Sequence, residues 1–536
     1  MFVLSFLTSL FSFLLKLSTW TALLALPLGI AYFFYIKHRS KYFQRLGLPQ
    51  PPITSYFLGN LEEFERNQKQ HEKLVEWHKK YGPTFGMLQG AHRVIVTSDL
   101  NIINEVYVKQ FHTFQSRQLH ASMAIDQKNG PNLNVFFGEG NQWKRLRALF
   151  SASLTISKIK SVDPIMKRAH NELVGVLKKH ENQVVDIIPN ILDLTFAVIS
   201  RSAMGIDDEF GKSAFLQQVL QLFGTKDTAK RFIPSFFAGT YDFLFITKYL
   251  QFLTIFTALK FAIQMGSMID KAITVRENET SDEKAKRHHD FMDFLREAQE
   301  DNLDTTNKSD MDIKISKKLT RSELIGSAQT FLIGGADTTA TLIDYCLYEI
   351  AMHPEYEKII LQEIDDFITS EDIDDINYNK IKDLEFLDRF VKETARLHPF
   401  AFTATPRRAI ETVTLKCSDE TFLRIDKGTC ILPNIPVISV DKNVWGKDAN
   451  EFNPDRFLPE NNENRHPMAW LPFGAGPRIC PGKNLAMHET KATIVKLLKE
   501  FKFEICNKTE LNEITRSLTG FESLKMKILP RINVKY

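Results

Sequence analysis

Along the chain the apolar positions fall into distinct patterns, and each predicts a different element. Residues 17–36, LSTWTALLALPLGIAYFFYI, run without a charge, and a helix of that length spans ~30 Å, the thickness of a bilayer's hydrocarbon. Pro27 and Gly29 weaken this helix, but both residues are tolerated in spans. Only Lys16 precedes it, whereas Lys37, Arg39, Lys41 and Arg45 follow, and the side richer in basic residues is the cytoplasmic one. A cleaved signal peptide is the weaker reading, because the apolar run is too long and the basic cluster lies on the wrong side of it. The earlier apolar run Phe2–Leu15 is left open between an interfacial segment and part of a longer hairpin. After the basic cluster, Pro49, Pro51 and Pro52 in Leu46–Pro52 deny the chain helix and predict a semi-rigid spacer. Three units follow: an anchor with its basic flank over 1–45, a proline-rich hinge over 46–52, and a body over 53–536.

The body reads mostly as helices of moderate length, with short strand-like runs at Val94–Thr97, Thr412–Leu415 and Cys430–Ile438. Asp301–Lys318 is polar and charged and reads as a surface loop. Just after it, Thr320 and Glu323 have the spacing of a capping box, which starts a helix near Arg321. The following run, LIGSAQTFLIGGADTTATLIDYCLYEIAM, is apolar nearly all round and stops before His353-Pro354, because the residue preceding proline avoids helical dihedrals. The predicted helix is ~30 residues long against a usual ~11–12. A helix of that length and character crosses the middle of a large body, so the body is predicted to be one domain.

Composition narrows the choices. Lys+Arg 68 against Asp+Glu 65 leaves a net charge of +3, which argues against nucleic acid as a partner. A hydrophobic fraction of 43% excludes a disordered chain. The five cysteines, Cys346, Cys417, Cys430, Cys480 and Cys506, are odd in number and scattered, with no CxxC, so neither a disulfide framework nor a structural zinc site is expected. The sequons at Asn278, Asn307 and Asn507 read as chance in a cytoplasmic body.

Two segments carry chemistry. In Phe473-Gly-Ala-Gly-Pro-Arg-Ile-Cys-Pro-Gly482, glycines around one cysteine build a tight loop that can approach a flat ligand. Pro481 has no amide hydrogen, so the amides available to the Cys480 sulfur begin at Gly482. These amides and the nearby Arg478 favour thiolate, the form that binds metal. In the middle of the long helix, Gly334-Gly335 costs roughly 1 kcal/mol per glycine, and the polar Asp337-Thr338 needs partners. Close packing against a neighbour is one explanation. The other is a locally opened helix with a ligand against freed backbone and an acid–alcohol pair to handle protons.

These residues carry a resemblance. FGAGPRICPG matches the haem-binding loop of the cytochrome P-450 superfamily, F-x-x-G-x-R-x-C-x-G, at every fixed position. Gly334-Gly-Ala-Asp-Thr-Thr339 resembles the oxygen-binding motif of that family's long helix, and Glu393-Thr-Ala-Arg396 its E-x-x-R. Phe452-Asn-Pro-Asp-Arg-Phe457 resembles the segment whose arginine, here Arg456, joins Glu393 and Arg396 in a buried structural triad. Trp143-Lys-Arg-Leu-Arg147 is similar to the W-x-x-x-R that holds a haem propionate. The resemblance covers residues 45–536 and implies a mainly α domain with a small β lobe behind the N-terminal transmembrane helix.

It further implies haem b with Cys480 as its axial thiolate ligand, Phe473 and Gly482 shaping the loop, and Trp143, Arg147 and Arg478 at the propionates. Arg407 is a further propionate candidate, with the adjacent Arg408 left open beside it. Thr338 would orient O2 and Asp337 deliver protons, while Thr330, Gly334, Phe400 and Phe402 would line the substrate pocket. The activity implied is that of a monooxygenase, with a haem-thiolate isomerase or dehydratase and a non-catalytic haem-binding protein as the alternatives; Asp337-Thr338 argues against the first, and the membrane anchor with the intact proton-delivery motif against the second. Electrons would come from an NADPH-cytochrome P-450 reductase, with cytochrome b5 as a second donor, docking near Lys144, Arg145 and Lys483. Eight phenylalanines over residues 232–261 fit a lipophilic substrate arriving from the bilayer, with fatty acid, sterol, aromatic amino-acid derivative and xenobiotic all open. The expected location is the endoplasmic reticulum membrane, single-pass, with the catalytic domain cytoplasmic.

Overall fold

The computed structural model describes residues 26–55, 58–117, 134–213, 216, 265–286, 290–300, 319–367, 376–515 and 518–531. The phenylalanine-rich stretch 232–261, the expected loop 301–318 and residues 1–25 lie outside the described residues.

Helix α1 covers 26–45. The chain then forms α2 (Gln70–Tyr81) and the hairpin β1 (Thr84–Gln89) and β2 (His92–Thr97). Helices α3 (Gly140–Ala152), α4 (Asp163–Lys178) and α5 (Ile188–Ala203) follow, with β3 (Val184–Asp186) between the last two. The long helix is α6 (Arg321–Met352), and α7 spans Glu385–Leu397. Short strands β4 (Arg407–Arg408), β5 (Val413–Lys416), β6 (Phe422–Ile425) and β7 (Cys430–Pro433) precede α8 (Lys483–Glu500). The chain closes with β8 (Phe501–Ile505), β9 (Glu513–Thr515), β10 (Thr519–Phe521) and β11 (Lys525–Pro530).

Two apolar clusters organise these elements. One surrounds α6 and takes residues from α3, α4, α5, α7 and α8. The other fills a lobe built on the sheet β1-β2-β7-β4, in which β2 and β7 run parallel and the other neighbours antiparallel. The run Cys430–Ile438, expected as one strand, splits. After β7, Asn434 turns the chain into a short helix, Ile435–Ile438, with Pro436 in its first turn, where a missing amide hydrogen costs nothing.

The start of α6 follows from its first four residues. The Thr320 hydroxyl accepts the Glu323 amide at 3.3 Å, and the Glu323 carboxylate accepts the Thr320 amide at 2.9 Å. The helix runs 32 residues without a break and ends on His353. The opened helix entertained at Gly334-Gly335 is therefore not observed.

The N-terminal expectation changes in its boundaries. Among the described residues no helix is long and apolar enough to cross a membrane. The predicted span 17–36 falls partly on residues that are not described, and its last part belongs to α1, which continues through the basic flank to residue 45. Leu26, Leu28, Ile30 and Phe34 are exposed on α1, whereas Tyr32, Ile36, Tyr42 and Phe43 are buried in the β lobe. Alternation of this kind marks a helix lying against protein on one face. The proline-rich segment is tied to the body, since the Pro49 carbonyl accepts the Gly86 amide at 2.9 Å and the Pro52 carbonyl accepts the Asn60 side chain at 2.8 Å.

Candidate active site

The two adjacent glycines of α6 do different things. A Cβ added to Gly335 would sit 2.8 Å from Cδ1 of Ile199, so α5 packs directly on the helix backbone there, whereas one added to Gly334 would meet nothing within 4 Å. The Thr338 hydroxyl donates to the Gly334 carbonyl at 2.6 Å, and Thr330 makes the same back-bond to Gly326 at 2.8 Å. Thr338 and Asp337 are partly exposed, while Thr339 is buried at 3% exposure and faces the core. One face of α6 therefore carries open space, an alcohol and a carboxylate, and the opposite face carries the packing.

The cysteine loop is fixed by two left-handed glycines, Gly474 (φ 69°) and Gly476 (φ 66°). A Cβ at Gly476 would collide with the Tyr107 carbonyl, so only glycine lets the loop reach this position. The Cys480 amide donates to the Phe473 carbonyl at 2.8 Å, closing the loop. The Phe473 ring packs on Trp470, with centroids 5.9 Å apart. Past Pro481, the Gly482 and Lys483 amides both donate to the Cys480 sulfur, and α8 begins at Lys483. Burial pushes the thiol up, and these amides with Arg147 and Arg117 offset that only in part. The amides and cations thus act in the direction the sequence suggests, towards thiolate, with burial opposing them.

Around the sulfur stands a group of guanidinium ions. Arg478 is buried and donates to the Phe136 carbonyl at 3.1 Å and to the Gly138 carbonyl. Among the described residues its Nε has no partner, and its plane lies over the Trp143 ring at 4.6 Å. Burial and the neighbouring Arg407 pull its pKa down to about 9. Arg407, buried at 2% exposure, donates to the carbonyls of Thr405 (2.9 Å) and Pro406 (3.2 Å) and covers the Tyr107 ring at 4.6 Å. Arg408 points elsewhere, to a carboxylate oxygen of Glu139 at 2.7 Å. Arg147 is lowered by burial and feels Cys480, and among the described residues no carboxylate pairs with it. Arg117, which no sequence motif singled out, joins the group. Its desolvation and the like charges of Arg407 and Arg478 drive its pKa well below the usual range, and it donates to the Arg478 carbonyl at 3.3 Å. Its only sequence signal was an arginine far upstream of the loop, and spacing could not connect the two.

Behind the loop, Glu393 receives both Nε (2.6 Å) and Nη2 (2.7 Å) of Arg396 and Nε of Arg456 (3.2 Å). Arg396 ties these charges to the chain through the carbonyls of Ser439 (2.5 Å) and Ala449 (2.7 Å). Asp448, missed in the sequence, takes Arg456 from the other side and makes the group two cations and two anions. The hydrogen bonds from Arg456 hold the Asp448 carboxyl below its usual value.

The other predicted residues divide. Phe400 (5% exposed) and Phe402 (1%) are closed into the two cores, one into each, while Ala401 and Thr403 beside them are partly exposed. Of the expected docking cations, Lys144 is exposed, Arg145 is committed to Glu323, and Lys483 lies over the Trp470 ring at 5.3 Å. Among the described residues the remaining cysteines form no disulfide, and burial pushes the Cys346 and Cys430 thiols up, Cys430 to about 12.

Comparison with known proteins agrees with this arrangement. The family model for Cytochrome P450 matches residues 49–529. A Caenorhabditis elegans protein named "Putative cytochrome P450 cyp-13B1" is 30% identical over 516 residues, covering 93% of this chain and 97% of that protein. A second from the same organism, "Putative cytochrome P450 CYP13A5", is 30% identical over 497 residues, covering 89% and 92%. The family is one of haem-thiolate monooxygenases. With its cysteine loop, its glycine-threonine helix and its buried Glu393–Arg396–Arg456 group all in place, this chain belongs to the cytochrome P450 family.

Proposed function

We propose that this chain inserts one oxygen atom from O2 into a lipophilic or aromatic small molecule, using electrons from an NADPH-dependent reductase, with cytochrome b5 as a second donor. One observation supports the haem site most directly: among the described residues, the buried Arg407 and Arg478 near the cysteine loop form no ion pair with a carboxylate. Arg407 and Arg478 donate to carbonyls, and among the described residues Arg478 Nε has no partner. Cations buried in this way are costly until an anion arrives. A haem b with its two propionates fits that need, and its iron fits the Cys480 sulfur.

Held there by the Cys480 sulfur, a haem iron would supply chemistry in which thiolate electron density favours O–O cleavage. The chain's own part is to hold and to protonate. The Gly482 and Lys483 amides stabilise negative charge on the Cys480 sulfur, and Arg117, Arg147, Arg407 and Arg478 neutralise the carboxylates. In this reading Thr338 holds a water or O2 at its hydroxyl beside the open Gly334, and Asp337 brings protons to that atom. An isomerase needs no such acid–alcohol pair. Thr330, with the partly exposed Ala401 and Thr403, would border the substrate, and Phe400 and Phe402 would back that wall from the core.

The anchoring part of the reading rests on the charge-free run 17–36 and on the exposed apolar face of α1, with the basic flank keeping the body on the cytoplasmic side of the endoplasmic reticulum. Lys144 is the docking cation left exposed for the reductase.

The test is NADPH consumption by the haem-loaded protein with a reductase, with and without O2, over a panel of lipids, sterols and aromatic acids. Product that appears only with O2 supports the reading, and turnover without O2 would overturn it. Cys480→Ser should lose the thiolate-type spectrum of the reduced carbon monoxide complex, and an unchanged spectrum would remove Cys480 as the ligand.

A further inference from the structure

Apart from the cysteine site, a compact cluster of titratable side chains encloses His398, the residue that ends α7. Its Nε2 donates to Oε1 of Glu349 at 2.6 Å, and its Nδ1 lies 3.5 Å from Oε1 of Glu513. The Tyr345 hydroxyl donates to the same Glu513 oxygen at 2.8 Å. The Tyr345 ring stacks on the imidazole, with centroids 4.1 Å apart and planes 15° apart. An imidazole facing a carboxylate at each nitrogen satisfies both only when both nitrogens carry protons. Geometry thus calls for an imidazolium that joins α6, α7 and β9.

The remaining neighbours are accounted for. His71 of α2 lies 3.7 Å from the other Glu513 oxygen, and its Nδ1 is 3.1 Å from the Thr515 hydroxyl. Burial lowers the His71 pKa, against the opposing pull of Glu513 and Glu72. His353 is 3.4 Å from the outer Glu349 oxygen, and Tyr348 meets the His398 ring edge-on at 6.1 Å.

What this cluster holds is the β9–β10 hairpin. The Thr519 amide donates to the Phe400 carbonyl at 2.9 Å, and the Glu522 amide donates to the Asn512 carbonyl at 2.8 Å. A Cβ built on Gly520 would lie 3.5 Å from Cγ2 of Thr341. Thr341 sits one turn beyond Asp337 and donates to its carbonyl at 2.8 Å. The hairpin therefore borders the part of α6 that carries Asp337 and Thr338, and reaches the segment after α7.

We propose that His398 is a positioning residue for this site: bridging Glu349 and Glu513 as a cation, it holds the β9–β10 hairpin against α6, and the hairpin's position sets how large a ligand the site admits. The inference rests on the reading above that this face of α6 borders the substrate.

The pH dependence has a definite sign. Burial lowers the His398 pKa, but its hydrogen bonds to Glu349 and Glu513 outweigh burial, and the net shift is upward from 6.5. The clamp is fully formed below the unfolded value of 6.5 and is released as pH rises through the higher folded value.

The experiment is amide hydrogen exchange at Thr519 and Glu522, from about pH 6 to about pH 9, in the parent, His398→Gln and Glu513→Gln. Glu513→Gln keeps an acceptor for Tyr345 and leaves the His398–Glu349 contact, so it carries the test where His398→Gln folds poorly. Protection factors in the parent should fall with rising pH. In both variants they should start about tenfold lower at the acid end, the low end for a lost charged hydrogen bond, and stay flat. The same proteins, loaded with haem, are titrated optically with imidazole and with 4-phenylimidazole. The affinity for imidazole should hold while its ratio to that for 4-phenylimidazole shifts by about tenfold.

Exchange that is identical in all three proteins at every pH overturns the clamp. An unchanged affinity ratio overturns the role in ligand size even where exchange responds. The exchange readout needs no turnover, so its failure is distinct from failure of the monooxygenase reading.

Discussion

Arg456 grips Asp448 at two points, Nη1 to Oδ1 at 2.9 Å and Nη2 to Oδ2 at 2.6 Å, while its Nε reaches Glu393 at 3.2 Å. The arginine thus links a fully enclosed carboxylate to one whose side chain is 44% exposed. The two carboxylates differ in what they cost when removed. Glu393 and Arg396 have no access to water, so loss of either strands a buried charge, whereas Asp448 is replaceable by solvent.

Glu393→Ala or Arg396→Ala should therefore destabilise the fold by roughly 3–5 kcal/mol and leave little haem-loaded protein. Asp448→Asn should cost about 1 kcal/mol or less. Thermal unfolding and haem content of the three variants check this, and full haem loading at parental stability in Arg396→Ala would show the group to be dispensable.

Thr338 and Thr339 are adjacent in sequence but face opposite environments. Thr338→Ala should leave haem and ligand binding nearly intact and divert reducing equivalents to peroxide or water. Thr339→Val, which removes a core hydroxyl at constant shape, should couple like the parent. Product formed per NADPH consumed is the measurement. Equal coupling in all three proteins would sink the role given to Thr338.

The neighbouring glycines should respond with opposite signs. Gly334→Ala meets no atom and gains helix propensity of about 1 kcal/mol, at the expense of space in the site. Gly335→Ala meets the buried Ile199 and should lose roughly 1–3 kcal/mol to overpacking. Denaturant unfolding gives the stabilities, and azole titration reports the space above Gly334.

Glu489 on α8 is buried, and among the described residues one of its carboxylate oxygens has no partner. Burial pushes its pKa from 4.5 to about 8. Folding then favours the protonated acid, so stability should decline as pH rises from about 4.5 to about 8 and level off beyond. Glu489→Gln should remove this slope and be more stable than the parent at pH 8 but not at pH 4.5. Parallel slopes in both proteins would mean that the carboxyl is ionised inside the fold.

Much of this protein is determined locally. The Thr320–Glu323 box and the His353-Pro354 stop set both ends of α6, because each acts within one turn of the backbone. The glycines around Cys480 and the proline after it set the loop and the first amide that can reach the sulfur, again within a few residues. The Glu393–Arg396 pair lies three apart on one helix face.

What remained was decided by packing between segments far apart in the chain. Nothing near Arg117 signals Cys480, since only the folded lobe brings them together. Arg407 and Arg408 are equivalent in sequence, and the strand they share sends one inward and the other to Glu139. Gly334 and Gly335 are equivalent too until α5 covers one of them. Ile36 reads as part of a membrane span, yet it is buried against the β lobe, because an apolar run records only that a side chain avoids water and not whether lipid or protein shelters it. Spacing along the chain specifies which groups share a helix face or a turn. Which faces meet, and so which charges are left for a ligand to neutralise, depends on contacts that the order of residues does not display.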